Sequence, residues 1–264
     1  FIIILLVSCT KEVEKKTIVL EKSMELQMIE AYEQGFKELK KGDALYAAQK
    51  FNEAEILFPQ SDLAPKAAIM SAYAYYSQNY YGDAIAELNR FIRVYPNYKN
   101  LDYVEYLIGL SYYEQIVDEK KDLQPIINAK KTFSKVIKKY PNTDYGLDAK
   151  YKIDLIDDIL AAKEMYLGRY YFDKKKWIAA IKRFRNVTDD YNTTIYVEEA
   201  LHRLVELYYI LGLETEAGKY ANLLGYNYQS SEWYERTYIV FNNNYKEKKK
   251  NEEKKNNVLK KIKS

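Results

Sequence analysis

The side chains best suited to covalent or metal chemistry occur once each in this chain. Cys9 is the only cysteine and His202 the only histidine among 264 residues. A single cysteine cannot form an internal disulfide, so the fold does not depend on oxidation. The pair also excludes any metal site built from several His or Cys ligands. No Ser or Cys partner is indicated for His202, and we expect it at the surface or in a groove rather than as a catalytic base.

Carboxylates are the remaining candidates for acid–base chemistry, and they occur as the adjacent pairs Asp157-Asp158, Asp189-Asp190 and Glu198-Glu199. Neighbouring residues on a helix point about 100° apart, so the members of a pair do not converge. A catalytic pair requires convergence or a raised pKa, and we interpret all three pairs as solvated faces. The chain also lacks a glycine-rich phosphate loop, G-x-S-x-G and H-E-x-x-H. We therefore expect no catalytic residue, no metal and no cofactor, and a protein that is not an enzyme.

The cysteine follows an apolar run, Phe1–Val7, that is far too short to span a bilayer. With no initiating Met before it, we interpret residues 1–8 as the remnant of a signal peptide. Leu6-Val7-Ser8-Cys9 matches the bacterial lipobox, a motif in which the thiol is acylated and the peptide is cut before the cysteine. We predict covalent lipid on Cys9 and a polar tether over 9–22, with a chance cysteine as the alternative. By analogy with sorting signals, Thr10 in place of Asp favours the outer membrane.

The charge of the chain is unevenly distributed. The net charge is +3, but the tail Lys246–Ser264 alone holds nine lysines against three glutamates, so the rest is slightly acidic. Nothing in this balance indicates nucleic-acid binding by the body of the protein. The tail is typical of a disordered or frayed helical segment.

The elements that would position any site follow a helical period, since glycine and proline are scarce and no long strand-like alternation occurs. One frame recurs: a small residue, Tyr three positions later, Ala nine positions after that, and a large apolar residue four further on. This spacing is the tetratricopeptide (TPR) signature. Its copies are Gly35, Ala47, Phe51 (the weakest); Ala72, Tyr75, Ala84, Leu88; Gly109, Tyr112, Ala129, Phe133 (with an insertion containing Pro125); Gly168, Tyr171, Ala180, Phe184; and Val205, Tyr208, Ala217, Ala221.

Proline punctuates the same frame. Pro59, Pro96 and Pro141 each lie eight residues after the large apolar position, and Asn192 keeps the interval in the fourth copy. Proline ends a helix because it lacks an N–H and clashes with the preceding turn. We predict an all-α fold, a TPR superhelix of about five helix pairs that bury their faces by stacking. A non-repetitive helical bundle is the alternative.

The longest uninterrupted segment, Asp144–Phe172, predicts one long helix or two end to end. We take its start as a boundary between an N-terminal half with repeats one to three, 23–143, and a C-terminal half with repeats four and five, 144–245. Glu232–Tyr245 predicts a helix that caps the second half, and 246–264 is the basic tail.

Aromatic residues follow the first helices of three consecutive repeats, the helices that line the concave groove of a TPR array. Tyrosine combines apolar area with a polar tip, which suits an extended peptide rich in aromatic side chains. The alternative is that individual rings pack between helices. The predicted groove positions are Tyr32, Phe36, Tyr73, Tyr76, Tyr103, Tyr106 and Tyr113.

Three features together resemble the BamD family, the TPR lipoproteins of the bacterial β-barrel assembly machinery. They are the lipobox before five repeats, the segment RFIRVYP followed by LDYVEYLIGL between Arg90 and Leu110, and the stretch Ala149–Tyr191 with its long helix. The resemblance covers roughly Ser23–Gln229.

The resemblance implies a scaffold at the periplasmic face of the outer membrane. N-terminal repeats would bind unfolded outer-membrane proteins, and C-terminal repeats would dock on a POTRA domain of a BamA-like barrel subunit, with other assembly lipoproteins as further partners. Arg183 matches a family arginine and is the predicted docking residue, since a guanidinium suits a carboxylate partner. No role carries over to the basic tail. The alternative function is another TPR lipoprotein adaptor, such as a secretin pilotin or a cell-wall-complex scaffold.

Overall fold

A computed structural model describes residues 23–117 and 123–242. Within these ranges the chain forms eleven α-helices and no strand. Their bounds are α1 Met24–Lys41, α2 Ala44–Leu57, α3 Ala64–Ser77, α4 Tyr81–Val94, α5 Leu101–Tyr113, α6 Gln124–Lys139, α7 Asp144–Asp173, α8 Trp177–Asp190, α9 Val197–Ile210, α10 Glu214–Asn227 and α11 Glu232–Phe241. The all-α class is confirmed. No helix in the described ranges is both long and apolar enough to cross a membrane.

The chain divides into two compact units, one ending at Tyr80 and the other beginning at Tyr81. The first contains α1, α2 and α3, and the second contains α4 to α11. The boundary expected at 143/144 falls inside the second unit, where α7 packs against α5, α6 and α8. The long helix α7 therefore does not separate two units, because it packs against helices that precede it in the chain (α5 and α6) and against one that follows it (α8).

Helix ends follow the predicted punctuation. α2 ends at Leu57, α4 at Val94 and α6 at Lys139, each two residues before the proline of its repeat, and α8 ends two residues before Asn192. Capping explains several starts: the side chains of Ser23, Asp43, Thr143 and Ser231 accept hydrogen bonds from the first turns of α1, α2, α7 and α11. The segment predicted to form one long helix or two helices end to end forms a single helix, α7.

In three of the five predicted copies, the TPR frame is confirmed by the contact between its small and large positions. A Cβ built on Gly168 would lie 2.5 Å from the ring of Phe184, and one on Gly109 would lie 2.6 Å from the ring of Phe133. In the first unit, a Cβ on Gly35 would lie 2.8 Å from the ring of Phe51. The ring of the second helix fills the space that the missing side chain leaves in the first, so paired helices approach closely.

Each unit has its own core. In the first, alanines of α2 and α3 pack with Phe51, and the half-buried Tyr32 and Phe36 lie against them. In the second, one cluster centres on Phe133 and Ile156 and another on Phe184 and the apolar face of α9. The phenylalanines of the repeat frame, Phe51, Phe133 and Phe184, therefore lie in the cores of the two units.

Candidate functional site

The predicted groove positions in the first unit fall into two groups. Tyr32 and Phe36 meet Phe51 edge to face, with ring centroids 5.4 and 5.3 Å from it and 5.0 Å from each other. Both rings are half-buried, so much of their area holds α1 against α2. Edge-to-face geometry is the arrangement that the ring quadrupoles prefer.

Tyr73 and Tyr76 on α3 form a separate pair, which differs from that cluster because Tyr73 is 38% exposed. Their ring centroids lie 6.3 Å apart. An exposed ring beside a half-buried one offers apolar area without disturbing the core. Among the predicted groove positions, this pair agrees best with an exposed aromatic binding surface.

The positions on α5 in the second unit are largely structural. Tyr106 is 9% exposed, its ring lies between Phe133 and Tyr145, and its hydroxyl donates a hydrogen bond to the Asp148 carboxylate on α7. Tyr103 also contacts Tyr145, with ring centroids 5.3 Å apart. The structure thus brings Tyr103 and Tyr106 together over α7, as elements of the packing between α5 and α7.

Tyr113, the last residue of α5, also contacts Phe133, at a centroid distance of 6.5 Å. The Lys152 ammonium lies 5.0 Å from the centroid of its ring, a cation–π distance. Burial raises the pKa of the Tyr113 hydroxyl, and the neighbouring charge of Glu114 adds to the effect. That the seven aromatic residues line one groove stays a prediction.

Arg183, the predicted docking residue, has a partner within the chain. Its Nη1 donates to Glu164 on α7, 3.1 Å from Oε1 and 3.3 Å from Oε2. Asn186 donates to the same carboxylate at 2.8 Å. The Arg183 side chain remains 32% exposed, so it is accessible to a second carboxylate while it ties α8 to α7.

His202 does not lie at the surface or in a groove, and that expectation is wrong. It is 4% exposed, its Nδ1 lies 2.8 Å from the Thr237 hydroxyl, and its Nε2 lies 3.5 Å from Glu206. The Trp233 ring lies beside the imidazole, with ring centroids 5.3 Å apart and the ring planes tilted by 38°. The cause is α11, which covers this face of α9.

The carboxylate pairs were interpreted as solvated faces. This interpretation holds for Asp189 and Asp190, which are exposed, and it is wrong for Asp157 and Glu199. Asp157 binds Lys130 on α6. Glu199, with a side chain only 12% exposed, accepts two hydrogen bonds from Arg169 on α7. Burial alone would raise the pKa of Glu199, but the hydrogen bond and charge of Arg169 outweigh it and hold that pKa below its ordinary value.

A buried carboxylate on α5 was missed by the reasoning from sequence. Glu105 is 2% exposed and lies 2.7 Å from the ammonium of Lys139 and 3.2 Å from that of Lys135, both on α6. The hydrogen bond to Glu105 raises the pKa of Lys139. The available signal was the position of Glu105 inside an apolar run, Val104–Leu110, with lysines four residues apart on the next helix.

Several predicted features lie outside the described residues: the signal-peptide remnant 1–8, the tether 9–22 with Cys9, and the tail 246–264. Lipid attachment to Cys9 therefore stays a prediction. Within the described ranges, no group of three or more His, Cys, Asp or Glu side chains is placed to hold a metal ion.

Comparison with known proteins identifies the family. A family model described as "YfiO: Outer membrane lipoprotein" matches residues 24–224. The outer membrane protein assembly factor BamD of Rickettsia prowazekii is 42% identical over 212 residues, which cover 80% of this chain and 84% of that protein. BamD of Caulobacter vibrioides is 38% identical over 237 residues, covering 89% and 76%. BamD of Neisseria meningitidis serogroup A is 30% identical over 210 residues, covering 76% and 79%. The resemblance seen in the sequence is thereby confirmed, and the chain belongs to the YfiO family of outer membrane lipoproteins, the family of the assembly factor BamD.

Proposed function

We propose that this chain is a non-enzymatic scaffold of the outer-membrane β-barrel assembly complex, anchored by lipid on Cys9 at the periplasmic face. The observation that carries the proposal is the identity to BamD proteins over most of the chain, 42% and 38% with two relatives. Helix pairs with exposed aromatic and charged side chains support binding as the activity. Two or more acyl chains would anchor the protein stably, whereas one gives only marginal residence.

The anchor has a direct test. Intact-mass analysis of the membrane-extracted protein is expected to show a mature chain that begins at Cys9 and carries acyl groups. The variant Cys9→Ser is expected to lose the mass increment and to leave the membrane fraction. A mature protein with an unmodified thiol would contradict the anchor without affecting the binding proposals.

The first unit binds unfolded outer-membrane proteins in this proposal, through peptide segments that end in an aromatic residue. Tyr73 and Tyr76 are the best-placed residues, because Tyr73 is 38% exposed whereas Tyr32 and Phe36 are engaged with Phe51. Truncation of a contact aromatic at a binding surface costs about 2 kcal/mol or more when the residue is a hot spot, which is at least a tenfold loss of affinity.

A peptide titration tests this assignment. The full chain is titrated against a labelled peptide with an aromatic C-terminal residue and against the same peptide ending in Ala. The double variant Tyr73→Ser/Tyr76→Ser is expected to lose at least tenfold in affinity for the aromatic peptide only. The matched control is Tyr226→Ser, which removes an 85% exposed ring from α10 and should change nothing. Equal affinity of both peptides for the wild-type chain would contradict the assignment.

The second unit docks on a POTRA domain of the BamA-like subunit, with Arg183 as a contact. Arg183→Ala alone would be ambiguous, because it also removes the hydrogen bonds to Glu164. Glu164→Gln separates the two roles, since it removes the internal carboxylate charge and keeps the guanidinium. Capture by an immobilised POTRA domain is expected to fall for Arg183→Ala and to persist for Glu164→Gln. Equal losses in both variants would show that the internal pair, and not docking, is what Arg183 provides.

A further inference from the structure

The last described helix, α11, is not followed by a second helix of its own. In four repeats the first helix packs against the helix that comes next in the chain: α1 against α2, α5 against α6, α7 against α8 and α9 against α10. α11 packs against α9 and α10, which precede it, and no described helix comes after it. The end of a helical array needs a polar outer face to stay soluble.

The outer face at this end is apolar instead. Tyr209 of α9 and Phe241 of α11 meet edge to face with ring centroids 5.6 Å apart, and they are 42% and 44% exposed. Large apolar side chains next to them in α9, in α11 and in the turn after α9 are exposed as well. We name the whole set, whose members are 37–51% exposed, the terminal patch: Tyr209, Ile210, Leu211, Leu213, Tyr238 and Phe241.

The exposure of Tyr209 is specific to this end of the array. Tyr113 and Phe172 occupy the same repeat position, four residues after the small residue. Both of their rings are half-buried, and each contacts an aromatic ring of the following helix, Phe133 for Tyr113 and Trp177 for Phe172. Tyr209 contacts α11 instead and keeps much of its ring in solvent. An occupant of the terminal patch would give this ring the cover that the earlier repeats have.

The chain continues directly from the terminal patch. Asn242 is the last described residue of this unit and follows Phe241, so residues 243–264 start at the patch itself. The tail 246–264 consists of Lys, Glu, Asn and Ser except for three aliphatic residues, Val258, Leu259 and Ile262. Positions i, i+1 and i+4 lie on one side of a helical turn. The tail therefore offers one short apolar face flanked by lysines.

We propose that Val258, Leu259 and Ile262 dock on the terminal patch of the same molecule and cover its exposed rings. The connection over 243–257 can reach up to about 50 Å, so the tail has ample length to turn back. A short flexible connection holds the segment at an effective concentration of about 1 mM. An intrinsic Kd of about 1 mM is then enough to keep the patch covered half of the time.

Charge and concentration favour the tail over other occupants. Glu214, in the first turn of α10 beside Leu213, is exposed and offers a carboxylate to the lysines around the aliphatic residues. An anionic lipid surface would meet that carboxylate with like charge. A second copy of the chain would meet the patch only at the concentration of the protein, without the advantage of the tether. The proposal does not rest on the proposed function, since Arg183 and the aromatic pair of the first unit lie outside the patch.

Photo-crosslinking within the full chain tests the proposal. Phe241→p-benzoylphenylalanine puts a photoreactive ring in the patch, and dilute protein is irradiated, separated by gel electrophoresis and mapped by mass spectrometry. We expect a crosslink within the monomer to the peptide that contains residues 258–262. The matched control is Tyr226→p-benzoylphenylalanine, because this ring is 85% exposed at the other end of α10 and should not reach the tail segment when it is docked.

Two pairs of tail substitutions in the Phe241→p-benzoylphenylalanine chain separate apolar contact from charge. Leu259→Asp/Ile262→Asp is expected to reduce the crosslinked fraction at least fivefold. Asn256→Asp/Asn257→Asp adds the same charge just outside the aliphatic residues and should leave the fraction unchanged. Thermal unfolding followed by circular dichroism confirms that each variant keeps its fold.

The remaining outcomes contradict the proposal in distinct ways. No crosslink to the tail, or equal crosslinking from positions 241 and 226, would show that the tail does not dock. Equal losses in the two pairs of tail variants would show that charge, and not the aliphatic face, governs the contact. Crosslinked dimers that increase with protein concentration would assign the patch to a second copy. None of these results bears on the lipid anchor or on the peptide and POTRA binding proposed above.

Discussion

The fit between Gly168 and Phe184 is the sharpest quantitative consequence of the repeat frame. Replacing Gly168 by Ala places a methyl group 2.5 Å from Cε1 and 2.8 Å from Cδ1 and Cζ of the Phe184 ring. Carbon atoms in ordinary contact are about 3.5–4 Å apart, so ring or helix must move by about 1 Å. Overpacking of this kind costs about 1–3 kcal/mol.

Helix propensity acts in the opposite direction. Alanine is more favourable than glycine in a helix interior by about 0.5–1 kcal/mol. The net expectation for Gly168→Ala is therefore a loss of about 1–2 kcal/mol in the free energy of unfolding. Gly218, inside α10, has no atom within 4 Å of its built Cβ. Gly218→Ala is the matched control and should gain about 0.5–1 kcal/mol from propensity alone.

Urea unfolding followed by far-UV circular dichroism measures both variants. A second-site change strengthens the test: Phe184→Leu should destabilise alone, because it leaves a cavity, yet the double variant Gly168→Ala/Phe184→Leu should lose about 1 kcal/mol less than the sum of the singles. A Gly168→Ala protein as stable as Gly218→Ala would refute the reasoning. So would strict additivity, since it would mean that the two positions do not share one space.

Three further changes follow from the same structure. Gly146→Ala should be the most damaging of the glycine substitutions, since its Cβ would meet the backbone carbonyl of Tyr140, which cannot rotate away; we expect a loss of about 3 kcal/mol in unfolding free energy. Glu199→Gln should cost about 1 kcal/mol at neutral pH; because the folded-state pKa of Glu199 lies below its ordinary value of 4.5, its contribution is present above that pH and is lost as the pH falls through the folded pKa. Thr237→Val should destabilise by about 1–3 kcal/mol, because it leaves His202 Nδ1 buried without its partner.

Controls keep these three interpretable. Gly82→Ala, at a helical glycine with nothing within 4 Å, should not reproduce the loss at Gly146. A difference between wild type and Glu199→Gln that does not decrease as the pH is lowered below 4.5 would show that the ionised carboxylate is not its source. Thr237→Ser keeps the hydroxyl, so a loss equal to that of Thr237→Val would contradict the role of the hydrogen bond.

Much of the fold follows from local chemistry and could be predicted. The proline positions, the small and aromatic positions and the single long helix all appear where their spacing indicated. The exposure of the candidate site residues was harder to predict from the sequence. A tyrosine at groove spacing does not reveal whether its ring is free, and Tyr73 and Tyr106 look alike in sequence although one is 38% and the other 9% exposed.

The amino-acid sequence by itself determined the helix pairs, their ends, the family and the predicted lipid site, because each depends on residue types at short spacing along one chain. Only the tertiary structure decided the burial and the partners of His202, Glu199 and Glu105. Each of these polar side chains is covered by a neighbouring helix or paired with one. Their burial depends on distances between helices far apart in the chain, and a period of 3.6 residues carries no information about those distances.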